Sequence, residues 1–151
     1  MVNRDQVTKF WNWFGPNVQN IRFKRHINKM WFSGQIFGFG GKETCNEILS
    51  QETQVGTFLI RFSESNPGLF GVAFISDDPN DRIKHYLIKH EDTGANKTLP
   101  DFLRNKPQFK FLLQFNFEDL TLQKIEKDIA FQEYYSKQKK IEPKDNGYVL
   151  L

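Results

Sequence analysis

Gly56-Thr57-Phe58-Leu59-Ile60-Arg61-Phe62-Ser63-Glu64-Ser65 is the stretch from which the chain is best read. Phe58, Ile60 and Phe62 alternate with Thr57, Leu59 and Arg61, the period of a β-strand. Apolar residues on both faces predict a central strand covered on two sides. Arg61 is the anomaly. An unpaired guanidinium beside Leu59 costs roughly several kcal/mol, so it needs an anion. No neighbouring carboxylate is an obvious partner; the chain supplies Ser63 and Ser65 on a polar turn whose N–H groups can form an anion nest. Fork, hydroxyls and N–H groups together suit a tetrahedral dianion. An arginine that pairs with Glu64 or faces solvent is the competing reading.

Outward from this strand, the chain of 151 residues is the size of one domain with a possible terminal extension. Sixteen Phe and three Trp supply a core, and 26% charged residues a solvated surface. A net charge of +3 permits an anionic partner but does not by itself argue for nucleic acid. Cys45 is the only cysteine, which rules out an intrachain disulfide and fits a reducing compartment. Met1 to Asp5 lacks the pattern of a signal peptide, and no apolar run reaches membrane-spanning length. A soluble intracellular protein is expected.

Before the strand, Val7, Phe10, Trp11 and Phe14 form a helical apolar stripe, and Gly15-Pro16 is expected to stop that helix. A second helix is expected from Asn17 as cap toward Ile27. Its Arg22, Lys24, Arg25 and Lys29 form either a nucleic-acid patch or a solvated face. A helix is expected from Lys42 to Leu49. Gly38-Phe39-Gly40-Gly41 before it is no nucleotide loop: Glu43 stands where a dinucleotide fingerprint needs glycine, and Lys42 is followed by Glu43 rather than Ser or Thr.

After the strand, Asn66-Pro67-Gly68 predicts a turn, Leu69–Ile75 a second strand and Ile83–Lys89 a third, an antiparallel meander. Gly71 implies a bulge or a close approach. Thr98 and Asp101 have capping-box spacing. Phe109 to Leu113 is ambiguous between strand and helix, and a helix is expected within Glu118 to Tyr135. From Ser136 the chain is polar and reads as a mobile tail ending in Tyr148-Val149-Leu150-Leu151. That end is either something to be bound or a frayed terminus.

Trp31-x-x-Gly34-x-Ile36, Lys42-Glu43 and Gly56 to Ser65 resemble the opening of an SH2 (Src homology 2) phosphotyrosine-binding domain. Arg61-Phe62-Ser63-Glu64-Ser65 is similar to the version in STAT transcription factors (signal transducers and activators of transcription). So are Leu99 to Asn105, Lys127-Asp128-x-Ala130-Phe131-x-x-Tyr134-Tyr135-Ser136, and Gly147-Tyr148-Val149, which resembles the STAT tyrosine-phosphorylation site. The resemblance implies an α+β fold, a central antiparallel sheet flanked by helices, with an N-terminal helical segment and an extra C-terminal helix. It divides the chain into the end of a helical linker (1–30), an SH2 domain (31–136) and a flexible tail (137–151). It implies that Arg61 grips phosphate bidentately, Lys42 adds a second cation, and Ser63, Glu64 and Ser65 line the phosphate loop, Glu64 through its N–H. Lys84-His85-Tyr86-Leu87-Ile88 resembles Src-type SH2 domains more than animal STATs, although Leu87 stands where the Src type has lysine. A non-animal STAT is therefore implied. His85 either flanks the phosphotyrosine ring or is an ordinary strand histidine.

The function implied is receptor recruitment and reciprocal dimerisation, each chain's phosphorylated Tyr148 entering the other's pocket. A dozen linker residues span roughly 40 Å when extended, so length alone does not forbid binding in cis. An SH2 adaptor without a transcriptional role is the alternative. The resemblance implies a cytoplasmic protein that is nuclear after activation, with DNA bound by the full-length protein, not by this fragment, and no membrane contact. A tyrosine phosphatase needs an arginine six residues after its cysteine, and Gln51 is six after Cys45. With only three scattered histidines, no metal or other cofactor is expected, and no enzymatic activity.

Overall fold

The computed structural model describes residues 4–23, 26–38, 41–93 and 97–136, with only the backbone of residues 20, 22 and 23. Helices α1 (Arg4–Phe23), α2 (Ile27–Phe32) and α3 (Lys42–Ser50) lead into strands β1 (Thr57–Phe62), β2 (Phe70–Ile75) and β3 (Ile83–Ile88). Helix α4 (Leu99–Arg104), strands β4 (Phe111–Asn116) and β5 (Thr121–Glu126), and helix α5 (Lys127–Phe131) follow. The sheet order is β3-β2-β1-β4-β5. β1 is thus the middle strand, and every residue in it is buried. Leu59, Ala73, Ile75 and Leu113 pack under Cys45 and Leu49 of α3. On the other face Phe58, Ile60 and Phe62 meet Ile27 and Met30 of α2, Phe102 and Leu103 of α4, and Phe131 of α5. Each large side chain fully buried this way contributes about 1.5–3 kcal/mol.

The pairing is antiparallel throughout except between β1 and β4, which run parallel, with Thr57 opposite Phe111. The sheet is therefore mixed, where the meander alone predicts an antiparallel one. Phe109–Leu113 resolves as the approach to β4 and its first half. The turn after β1 follows its sequence closely. Leu69 N–H donates to Asn66 O at 3.1 Å and Gly68 has φ +87°, a type II turn with Pro67 and Gly68 at its centre.

Three expectations are corrected. Gly15-Pro16 does not stop the first helix: α1 runs through both residues. The clash that usually bars helix before proline involves the preceding residue's Cβ, which Gly15 lacks, and the Asn17 amide donates to Trp13 O at 3.0 Å beside the break in the ladder. Val7, Phe10 and Trp11 of the apolar stripe remain exposed, while Trp13 packs edge-on against Phe62, ring centres 6.3 Å apart. Finally, the helix expected within Glu118–Tyr135 is α5, from Lys127, while Leu122 and Ile125, expected on it, lie on strand β5 instead. β5 is an edge strand exposed at most positions, specified by its ladder to β4 rather than by an apolar face. No helix among the described residues is long and apolar enough to cross a membrane.

Candidate anion-binding site

Arg61 lies on the α3 face of β1, directly opposite Gly71 of β2, which in turn pairs with Leu87 of β3. One row along are Leu59, Ala73 and His85. Two strand spacings, roughly 9–10 Å, separate β1 from β3. The guanidinium crosses that gap because the strand between presents only Gly71 and Ala73. A Cβ on Gly71 would lie 2.9 Å from Arg61 Cζ. The register between β1 and β2 is unbroken, so Gly71 marks a close approach and not a bulge.

Only 7% of Arg61 is exposed, and it takes part in no ion pair among the described residues. NH1 donates to Phe62 O at 3.3 Å, NH2 meets His85 Nδ1 at 3.4 Å, and Nε has no acceptor. Both bonds are long for N–H donors. Glu64 does not neutralise it: that carboxylate accepts from Lys42 N–H at 3.1 Å, at the start of α3. Gly41 lets the carboxylate come so close, since a Cβ there would collide with it. A buried guanidinium with two long bonds and an idle Nε keeps donor capacity that its neighbours do not use.

The loop after β1 completes the receptor. Ser63 N–H donates to Leu69 O at 2.9 Å, and Asn66 N–H donates to Ser63 Oγ at 3.1 Å. The buried Ser63 hydroxyl thus accepts from the loop and keeps its own proton to donate. Trp13 Nε1 donates to Ser63 O at 2.8 Å, so α1 pins the loop from behind. Ser65 is exposed on the rim, its Oγ accepting from Asn66 Nδ2 at 3.2 Å. Among the described residues no acceptor takes the N–H of Glu64 or Ser65.

His85 of β3 lies opposite Ala73 of β2 and meets Arg61. Its Nε2 is 2.7 Å from Asn46 Oδ1 on α3. Burial, then the charges of Arg61 and Lys42, lower its pKa from 6.5 to about 4, so the ring is neutral at pH 7. Cys45 behind it is pushed up to about 11, mainly by burial, and stays a thiol; Arg61 opposes that shift and Glu64 adds to it. Lys42 stands exposed at the first position of α3. The structure therefore sets His85 against Arg61 and ties Glu64 to the start of α3 at Lys42, with Ser63 and Ser65 in the loop that follows β1. Tyr148 lies outside the described residues. Of the four cations near the second expected helix, Lys29 is the one whose side chain is described; it is exposed and pairs with Glu133 at 3.4 Å. Trp13 and Asn46 were missed from sequence. Each acts on residues some 40 to 50 positions away, and no local motif marks either.

An SH2 domain family model matches residues 31–115, across α3, all of β1 to β3 and into β4. The chain belongs to the SH2 family. Signal transducer and activator of transcription A of Dictyostelium discoideum is 47% identical over 116 residues, 76% of this chain and 16% of that protein. Signal transducer and activator of transcription B of the same organism is 35% identical, over 90% of this chain and 14% of that protein. Human signal transducer and activator of transcription 4 is 30% identical, over 93% and 19%. This SH2 domain is of the STAT type, with non-animal relatives among those it matches, and the relatives' names describe signal transducers and activators of transcription. The chain spans less than a fifth of the length of these relatives.

Proposed function

We propose that this chain is the phosphotyrosine-binding module of a STAT-like transcription factor, which recruits it to phosphorylated receptors and dimerises it through phosphorylated Tyr148. The observation that carries the reading is Arg61: a buried guanidinium with no counter-charge among the described residues and an unpartnered Nε. Phosphate brings close to two negative charges and three strong acceptors, which this pocket lacks. Arg61 takes the phosphate, Ser63 and the Glu64 and Ser65 N–H groups close over it, Lys42 adds charge from α3, and His85 flanks the ring. The linker end (1–30), SH2 domain (31–136) and tail (137–151) divide the work. The tail carries the ligand to a second copy, and α1 braces the loop through Trp13. The factor works in the cytoplasm and enters the nucleus once activated, with DNA bound by parts of the protein outside this fragment.

Calorimetric titration with a peptide copying Gly147 to Leu151 tests the binding. The phosphorylated peptide binds and the unmodified one does not; equal affinities would sink the reading. Two tail–pocket contacts in a symmetric dimer reinforce each other through effective concentration. Sedimentation of the chain phosphorylated at Tyr148 therefore shows dimers where the unmodified chain is a monomer.

A further inference from the structure

Asn46 of α3 meets His85, and neither the sequence motifs nor the family match assigns it a role. Its role follows from what its neighbours are chemically able to do. A guanidinium nitrogen only donates, so His85 Nδ1, 3.4 Å from Arg61 NH2, is an acceptor. A neutral imidazole with a bare Nδ1 carries its proton on Nε2. That proton points at Asn46 Oδ1, 2.7 Å away.

Burial and two cations keep a second proton off the ring. Arg61 faces it from β1, Lys42 lies close on α3, and burial adds to both; together they bring its pKa to about 4. β2 contributes Gly71 and Ala73 to this face, neither of which titrates. Cys45 of α3 is held as a neutral thiol, and Glu64, the nearby carboxylate of the loop, is bonded to Lys42 N–H. The ring is thus neutral, and the remaining question is which nitrogen bears the proton. Asn46 settles it.

We infer that Asn46 is a positioning residue of this pocket: it fixes the His85 tautomer whose Nδ1 lone pair holds the Arg61 fork across Gly71 until a phosphate takes it. The ligand in this inference rests on the phosphotyrosine reading above; the geometry does not. Arginine has many rotamers, and setting one beforehand removes part of the ordering cost of binding. At 3.4 Å the Arg61–His85 contact is long enough to orient the fork yet yield to a charge-assisted bond. The opposite tautomer would aim an N–H at the guanidinium and push it out of line.

Two measurements on the whole chain test this. The first is imidazole ¹⁵N spectroscopy of the unliganded protein. His85 is expected as the Nε2–H tautomer with Nδ1 unprotonated down to about pH 5. Asn46→Leu should mix the two tautomers, while Asn46→Asp, which keeps an acceptor in place, should retain Nε2–H. The second is calorimetry with the phosphorylated Gly147–Leu151 peptide on Asn46→Leu, His85→Leu and the double variant. Each single change should weaken binding roughly three- to tenfold, the worth of one neutral hydrogen bond. The double variant should be no weaker than His85→Leu alone, because Asn46 acts through that ring. A wild-type Nδ1–H tautomer, an unchanged tautomer in Asn46→Leu, or additive losses in the double variant would each overturn the inference. If the wild-type chain fails to bind the phosphopeptide, the phosphotyrosine reading falls, and the spectra still decide whether Asn46 sets the tautomer.

Discussion

Arg61 and Lys127 are two buried cations with opposite fates. Each is 7% exposed, and neither joins an ion pair among the described residues. Lys127 is complete: its Nζ donates to Leu103 O at 2.9 Å, Lys106 O at 3.1 Å and Arg104 O at 3.3 Å. Three donors meet three acceptors, and these carbonyls gather at the C-terminal end of α4, where the peptide dipoles present negative charge. Arg61 has five N–H donors, two long bonds and an unpartnered Nε. Burial is therefore no guide to what a cation does. The state of its donors is: Lys127 closes a helix end, whereas Arg61 remains open to an anion from outside.

The comparison breaks most sharply by removing each cation in turn. Arg61→Leu should stay folded and lose phosphopeptide binding by about 2–5 kcal/mol, the usual cost of truncating one partner of a buried charge pair. Its thermal midpoint should hold or rise, because a poorly paired buried charge gives way to an apolar side chain. Lys127→Met should do the reverse. Three carbonyls lose a donor, and Leu103 O and Lys106 O keep only their backbone ones, so unfolding in urea should show about 1–3 kcal/mol less stability, with phosphopeptide affinity unchanged in the folded molecules. A stable Lys127→Met, or an Arg61→Leu that binds normally, would erase the distinction.

The unequal legibility of the two residues in the sequence has a physical basis. Arg61 stood out because it interrupts a strand whose other residues are all suited to burial, and because Ser63 and Ser65 follow it. Helix α3, strands β1 to β3, the Asn66–Leu69 turn and the Thr98–Asp101 capping box were readable for the same reason: each is fixed by spacing over a few residues. Lys127 was not readable as a cap, since its acceptors lie 21 to 24 residues earlier and come from the backbone, which has no sequence signature. Leu122, Ile125 and Ile129 have helical spacing, yet pairing with β4 overrides that pattern up to Glu126. The parallel β1–β4 pair and the Asn46–His85 bond are likewise long-range facts. What the strand did disclose was a buried arginine without an obvious partner nearby in the sequence; how the fork is held required the fold.

Two smaller changes sharpen the picture of the open cation. Gly71→Ala would place a methyl group 2.9 Å from Arg61 Cζ and displace the fork. Because affinity depends on a planar, preset guanidinium, calorimetry should show a loss of about tenfold, or about 1.4 kcal/mol. An unaffected Gly71→Ala would mean that the fork does not bind in the position seen here. Lys42→Ala should cost less, roughly a few-fold, since an exposed ammonium contributes a screened point charge. Its effect should shrink as salt is raised, whereas that of Arg61→Leu should persist. A Lys42→Ala loss exceeding that of Arg61→Leu would exchange the two roles.

The smallest expected effect on binding concerns Asp101, the anionic counterpart of Lys127, because it too has its bonding needs met inside the domain. Its carboxylate accepts from Ser136 Oγ at 2.6 Å, Ser136 N–H at 2.9 Å, Thr98 Oγ1 at 3.0 Å and Thr98 N–H at 3.4 Å, tying the chain at Ser136 to the start of α4. Burial alone would raise its pKa, but the Ser136 and Thr98 hydrogen bonds outweigh it, and the pKa falls below 3.8. A folded-state pKa lowered in this way means the unfolded chain binds the proton more readily. The stabilisation is therefore fully present above the unfolded value, about 3.9, and is lost as pH falls through the folded one. Asp101→Asn removes the charge and should cost about 1 kcal/mol at pH 7, as for other lost helix caps. Urea unfolding of both proteins between pH 2 and pH 7 should show that gap narrowing toward acid, while phosphopeptide affinity at neutral pH stays the same. A gap independent of pH would mean that the carboxylate's charge does no more than an amide would, and a lost affinity would mean that the Ser136 anchor reaches the Arg61 pocket.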